Sequence, residues 1–298
     1  MQFLLHVLCE CSQNDRDVPL VLIHGFGADE TVFDELILNI KKNFPERTVL
    51  APHILFGFFS SIFCGLTRYT RVTATKIQEI TNAECIDVIG HSQGGLVARA
   101  YIQLYSGEKG HPRVRNFISL AGAQGGFYCG DNCPDFGSTF NKWMKAAQKA
   151  MYSNFLQVRV TPAGFWRDPY KYSKYQKQCG VLAKINGECL GQTEGAGKAN
   201  MLKLSKYYNM YSAIDEILLP STSGNFAMYE PETGNILELE QNPIYTEDRI
   251  GLKQLKTQGK LVQCRRDIYH MDFIFSQEYY EQFIFKLLSN KAEQMLCQ

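Results

Sequence analysis

The sequence predicts an α/β domain with a mostly parallel central sheet, helices on both faces and an inserted cap. Three observations carry that expectation. Strand-like and helix-like segments alternate from Leu20 to Leu120, which favours parallel strands joined by helical crossovers. A Gly-His-Ser-Gln-Gly run at 90–94 stands where one apolar strand gives way to a helix. The alternation fails over 124–205 and resumes at Lys206, so a long stretch is inserted in an otherwise regular fold.

Leu20-Val21-Leu22-Ile23 is a continuous apolar run, as expected of a strand covered on both faces, and it ends in His24-Gly25-Phe26-Gly27. A helix is expected from Glu30 to Asn43, a strand at Thr48 to Ala51, and a helix over Val72 to Ile80. The strand containing Ile86, Val88 and Ile89 follows, then a helix through Leu96 to Leu104 and a strand at Val114 to Leu120. Residues 124–205 carry Gly, Pro, Tyr and Trp without steady alternation, although Thr139 to Tyr152 reads as helical. They are read as a cap or acyl-binding subdomain within a single domain spanning 1–298. A strand at Lys206 to Tyr211, a short helix at Ile250 to Lys256, a strand at Lys260 to Cys264 and a helix at Gln277 to Leu288 complete the pattern.

The 90–94 run has the G-x-S-x-G spacing of a nucleophile elbow centred on Ser92. Glycines are needed on both sides because a side chain at Gly90 or Gly94 would meet the strand or helix packed across the turn. The turn presents the serine hydroxyl and leaves the amide of Gln93 for a developing oxyanion. The first oxyanion donor is expected just past the early His-Gly, at Phe26, whose ring would also wall an acyl pocket.

A serine hydroxyl needs a base. Of the six histidines, His270 alone lies after the last expected strand and before the last helix. His24 is assigned instead to shaping the oxyanion loop, and His91 to pointing away from the hydroxyl. The acid belongs on a loop after a late strand, where it fixes the imidazole tautomer. Asp215 fits. Asp267 and Asp272 are too close in sequence to His270, and Asp248 opens a helix, where capping is natural. The order Ser…Asp…His is that of the α/β-hydrolases.

Composition narrows the class. The chain has 298 residues, 45% hydrophobic and 20% charged, with net charge +1. No run of like charges points to nucleic acid. No apolar stretch reaches membrane-spanning length, so a soluble chain is expected. No cofactor or metal is called for, since the cysteines form no pair of C-x-x-C motifs and no His clusters with them. Ten cysteines favour disulfides, including the spacings at Cys129 and Cys133 and at Cys179 and Cys189, with pairing left open. Phe3 to Cys9 reads either as a short signal-peptide core or as a first strand, and the chain contains no N-x-S/T sequon.

Several motifs together resemble the palmitoyl-protein thioesterase family. They are Gly-His-Ser-Gln-Gly-Gly at 90–95, Ile118 to Gly126, Phe165-Trp166-Arg167-Asp168-Pro169, Leu182 to Asn186, Tyr245 to Lys253 and Gly259 to Val262. The resemblance implies hydrolysis of long-chain acyl thioesters, on S-acylated proteins or peptides and acyl-CoA, by Ser92, Asp215 and His270. It implies a lysosomal or secreted address; a monomer is expected. Two departures stand out: Tyr269 replaces the family's usual Asp before the histidine, and sequons are missing. Trp166, Ile217 and Phe226 are candidates for lining the acyl groove. A carboxylester lipase with the same triad and a catalytically inactive lipid-binding relative are the alternatives.

Ile54 to Leu66 holds four phenylalanines and no charge among thirteen residues. It reads either as core beneath the cap or as an exposed apolar lip that makes transient contact with a membrane surface.

Overall fold

The computed structural model describes residues 11, 14, 17–135, 138–289, 291 and 297. The segment Phe3 to Cys9 lies outside them. Six parallel strands form the central sheet: β1 (Leu20–Ile23), β2 (Val49–Leu50), β3 (Cys85–His91), β4 (Arg113–Leu120), β5 (Lys206–Tyr211) and β8 (Leu261–Arg265). Their order is β2-β1-β3-β4-β5-β8. A small antiparallel ribbon, β6 (Met228–Tyr229) with β7 (Ile236–Leu237), lies between β5 and β8 in the chain.

Both faces of the sheet are covered, which explains why β1 reads as an unbroken apolar run. Val21, Ile23, Ile86 and Val88 point into one core with helices α3 (Leu66–Ile80) and α4 (Gln93–Leu104). Leu20, Leu22 and Ile89 point into the other, with α1 (Asp34–Asn43) and the C-terminal helices, including Phe273, Tyr280 and Ile284. The expected α/β-hydrolase architecture is the one observed.

Element boundaries moved where tertiary contacts outweigh local propensity. The helix expected at Val72 begins at Leu66, because Leu66, Tyr69, Thr73 and Ile77 bury a continuous stripe despite the threonines among them. The helix expected from Glu30 starts as a 3₁₀ turn over Glu30–Phe33, capped by Asp29, whose carboxylate accepts from the amide of Thr31. The edge strand shrinks to Val49–Leu50, and the last helix contains a π-helical turn at Tyr280–Ile284. Within the phenylalanine-rich segment, Phe58–Phe63 forms a short helix, α2, that periodicity did not announce.

Between β4 and β5 the chain runs through α5 (Ser138–Ala147), α6 (Asn154–Gln157), α7 (Tyr172–Gln178), α8 (Val181–Asn186) and α9 (Lys198–Leu202), joined by 3₁₀ turns. The motif residues of this stretch have structural partners. Buried Glu188 accepts from Arg167 Nε and Nη2 at 3.1 and 2.9 Å, from the Tyr175 hydroxyl at 2.7 Å and from Asn186 Nδ2 at 2.9 Å. Arg167 holds the Glu188 carboxyl below its ordinary range although burial opposes this. Past β7, α10 (Pro243–Thr246) leads to α11 (Leu252–Thr257). There Asp248, itself at φ 51°, accepts from the amide of Lys253 at 2.8 Å, the capping role expected of it. Arg249 donates to the carbonyl of Gly187 at 3.0 Å and so ties the Tyr245–Lys253 motif to the helical insertion.

Disulfides join Cys11 to Cys85, Cys129 to Cys133, Cys179 to Cys189 and Cys264 to Cys297. Cys64 is a buried free thiol. Among the described residues no helix is long and apolar enough to cross a membrane.

Candidate active site

The sheet register brings the C-terminal ends of the strands level. Ile23 pairs with Gly90, His91 with Leu120, Leu120 with Met210, and Tyr211 with Arg265. The loops leaving these ends therefore gather at one edge, where open α/β sheets bind their ligands. They carry His24 to Phe26, Ser92, Asp215 and His270.

Ser92 has φ 56° and ψ −127°, a conformation rarely adopted by a residue with a side chain, between β3 and α4. Close packing imposes the flanking glycines. A Cβ on Gly94 would lie 2.1 Å from the carbonyl oxygen of Ile23, and one on Gly90 would lie 2.5 Å from that of Gly94. The β1 loop passes equally close, since a Cβ on Gly25 would lie 2.9 Å from that of Ser92. Gln93 is the first residue of α4, so its amide is among those without an intrahelical acceptor. Its side-chain Nε2 donates to the carbonyl of Ser61 at 3.0 Å, and its Oε1 is buried without a partner.

His270 and Asp215 come together, with Nδ1 of the imidazole donating to Asp215 Oδ2 at 2.7 Å, both side chains buried. Asp215 Oδ1 accepts from the amides of Ile217 and Leu218 at 2.9 and 2.8 Å, which fixes the carboxylate. The imidazole Nε2 and the Ser92 hydroxyl have no hydrogen-bond partner among the described residues.

Two groups around the base were not legible in the sequence. The Glu216 carboxylate accepts from the backbone amide of His270 at 2.9 Å. His91 Nε2 donates to the carbonyl of His270 at 3.1 Å, and the rings lie 4.9 Å apart. Burial, with the neighbouring His270 adding to it, pushes the His91 imidazole down to about 3, so it is neutral. Its side chain is thus spent on the backbone of His270. His24 donates from Nδ1 to the carbonyl of Gly25 at 3.1 Å and accepts the Tyr69 hydroxyl on Nε2 at 3.2 Å. Burial lowers its basicity as well. This neutral ring holds the loop that bears Phe26.

Beside Ser92 opens a narrow apolar cleft of about 50 Å³ lined by Phe26, Gln93, Ala123, Phe127, Met144, Pro162, Phe165, Ile217 and Leu218. Of the three groove candidates, only Ile217 is in this lining. Trp166 is fully buried, packed edge-on against Phe127 and Tyr128 at 5.7 and 5.4 Å, so it supports the cleft wall from behind. Phe226 is fully buried too, beneath the Arg99 guanidinium at 5.2 Å and against Tyr207. Bulk and aromaticity drew attention to both, but in this fold those properties serve packing. Met144 lies in the stretch read as helical and Phe165 opens the 165–169 motif, but neither carried a signal that pointed to the groove.

Residues 19–270 match the family model described as palmitoyl protein thioesterase. Palmitoyl-protein thioesterase 3 of Dictyostelium discoideum is 30% identical over 91% of this chain and 92% of its own length. Lysosomal thioesterase PPT2-B of Xenopus laevis is 26% identical over 95% of this chain and 96% of its own. Among solved structures, a putative aryl esterase from Burkholderia cenocepacia aligns with TM-score 0.49 and 13% identity, covering 93% of this chain and 90% of that one. The sequence match spans all the strand ends that gather at the cleft, and the chain belongs to the palmitoyl protein thioesterase family.

Proposed function

We propose that the protein hydrolyses long-chain acyl thioesters, above all palmitoyl groups on cysteines of proteins or peptides, through an acyl-enzyme on Ser92. The observation that carries this reading is the convergence of a strained serine, a buried Asp215–His270 pair and an apolar cleft at one sheet edge. His270 Nε2 takes the proton from the Ser92 hydroxyl as its oxygen attacks the thioester carbonyl. Asp215 keeps the Nδ1–H tautomer and stabilises the imidazolium. The amides of Gln93 and Phe26 receive the oxyanion. Collapse breaks the C–S bond and the departing thiolate takes the proton from His270. Water, deprotonated by the same imidazole, then releases the fatty acid and restores Ser92. Serine–histidine hydrogen bonds are often long before substrate binds, so the present geometry is compatible with this sequence of events.

An acyl chain gains about 0.8 kcal/mol for each CH₂ it buries, and the lining from Ala123 to Leu218 is apolar. Met144, Pro162 and Phe165 of that lining come from 124–205, which supports reading this stretch as the acyl-binding cap. A lysosomal or secreted address is supported by the four disulfides and by relatives named lysosomal thioesterases. The deciding experiment compares turnover of a palmitoyl thioester with that of an oxygen ester of equal chain length. Preference for the thioester supports the proposal, preference for the ester makes the protein a carboxylester lipase, and turnover of neither makes it an inactive lipid-binding relative.

A further inference from the structure

The phenylalanine-rich segment divides by face. Ile54, Ile62 and Leu66 are buried, whereas Phe56, Phe58, Phe59 and Phe63 are 81%, 45%, 64% and 57% exposed. Phe155 and Val158, at 63% and 61%, extend the exposed surface. The two parts adjoin: a Cβ on Gly65 would lie 2.5 Å from the backbone of Val158, and Thr161 donates to the carbonyl of Ser61. Four exposed phenylalanines within eight residues exceed the scattered apolar exposure that needs no explanation.

The surface borders the mouth of the cleft. Phe58 sits against Gly27, one residue past Phe26, with its ring 3.6 Å from where a Cβ would be. Phe63 packs edge-on against Trp143, the neighbour of cleft-lining Met144. Charge surrounds it unevenly. The whole chain has net charge +1, yet 138–187 contains nine basic residues and a single acidic one. Of the nine, Arg167 pairs with Glu188, Lys171 with Asp168 and Lys145 with Asp131, leaving six without a paired carboxylate among the described residues. Lys142 and Lys145 flank Trp143 and are exposed, and Arg159 lies over the Phe155 ring at 4.2 Å. Of the nearby acids, Asp29 adjoins Gly57 and accepts from the Thr31 hydroxyl, and Glu30 lies against His53 at 2.6 Å.

We propose that this aromatic surface, fringed by Lys142 and Lys145 of α5 and by Arg159 just past α6, docks the protein on an anionic phospholipid bilayer with the cleft mouth against the lipid. Exposed aromatics entering the headgroup region beside a cationic rim are the combination that peripheral membrane binding requires, apolar burial and electrostatic attraction acting together. The orientation is consistent with the proposed thioesterase reading, on which it rests for its purpose but not for its test. Acyl chains held in the outer leaflet would reach Ser92 without crossing water.

The test is sedimentation with vesicles of phosphatidylcholine alone and of phosphatidylcholine mixed with phosphatidylserine, using the full chain. The wild type is expected to bind the anionic vesicles more tightly, with affinity falling as salt rises. Its Trp143 emission should shift to the blue on binding. Phe56→Ser with Phe59→Ser, neither lining the cleft, should weaken anionic-vesicle binding by about tenfold or more while a soluble short-chain thioester is still hydrolysed. Lys142→Glu with Arg159→Glu should abolish the preference for anionic over neutral vesicles. Ser92→Ala should bind vesicles as the wild type does, so a failure of the thioesterase reading would leave this measurement intact. No binding by the wild type, or equal binding by the folded Phe56 and Phe59 variant, would overturn the proposal. Should that variant be thermally destabilised, the single Phe56→Ser variant and the wild-type salt dependence decide in the same way.

Discussion

His91 donates from Nε2 to the carbonyl oxygen of His270, so the residue before the candidate nucleophile holds the peptide of the candidate base. The Glu216 carboxylate accepts from the amide of the same residue, in the preceding peptide. The loops after β3, β5 and β8 are thereby fastened to one another at His270, independently of the bond between its ring and Asp215.

This arrangement predicts acid sensitivity. A histidine that is neutral in the fold with a value near 3, against 6.5 when unfolded, binds its proton only on unfolding between those limits. Stability contributed by neutral His91 is therefore intact above pH 6.5 and lost as pH falls toward 3. The slope is up to about 1.4 kcal/mol per pH unit. His91→Gln preserves a donor and removes the titration. Denaturant melts from neutral to acidic pH should show a shallower loss for the variant, and an unchanged slope would refute the assignment.

The candidate triad makes a contrast between two aspartates. Ser92→Ala should lower kcat by several orders of magnitude and abolish labelling by a fluorophosphonate, with the fold intact. Asp215→Asn should also lower kcat steeply, because the neutral amide no longer enforces the Nδ1–H tautomer. Asp248→Asn should cost about 1 kcal/mol of stability through its weakened cap on α11 and leave kcat near wild type. Kinetics and melts on the three proteins settle the matter, and a kcat loss confined to Asp248→Asn would reverse the assignment.

Ser61 links α2 to the site. Its hydroxyl accepts from the amide of Gly27 at 2.9 Å and donates to the carbonyl of Phe58 at 2.7 Å, while its carbonyl receives Gln93 Nε2. Ser61→Ala leaves the Gly27 amide unsatisfied next to Phe26, which costs about 1–3 kcal/mol. A fall in kcat of about tenfold with KM little changed is expected, since the oxyanion loop serves the transition state. Ser61→Thr should recover most of it.

Asp87 on β3 is buried between Arg47 and Arg115, with Arg115 at 2.5 Å from Oδ2 and 3.0 Å from Oδ1. Asp87→Ala would strand two buried guanidinium groups and should cost about 3–5 kcal/mol. Urea unfolding of the variant checks this. A loss below about 1 kcal/mol would mean that water relieves the arginines.

What the sequence disclosed, and what it withheld, follows from the range of each interaction. The elbow is local: Gly90, Ser92 and Gly94 meet within one turn, so five letters suffice to identify it. Asp215 and His270 could be placed because fold order confines each to one loop. Trp166 and Phe226 were drawn to the groove by size, but their burial is decided by Phe127, Arg99 and Tyr207, far away in the chain. The clamp on His270 from His91 spans 179 residues of sequence, and no spacing rule reaches that far. α2 was missed because a six-residue helix held at its serines by remote contacts carries no periodicity to read.

The distribution of the triad along the chain has a consequence for biosynthesis. Strand β3 delivers Ser92 early, while its base is supplied after β8, the last strand to join the sheet. At about 5–20 residues per second the interval between the two leaving the ribosome is roughly 10–35 s. Throughout that interval the nascent chain bears a serine hydroxyl without the imidazole that would activate it. On the proposed mechanism the chain is thus kept from acylating itself until residue 270 has been made, and a product truncated before that residue should be inert.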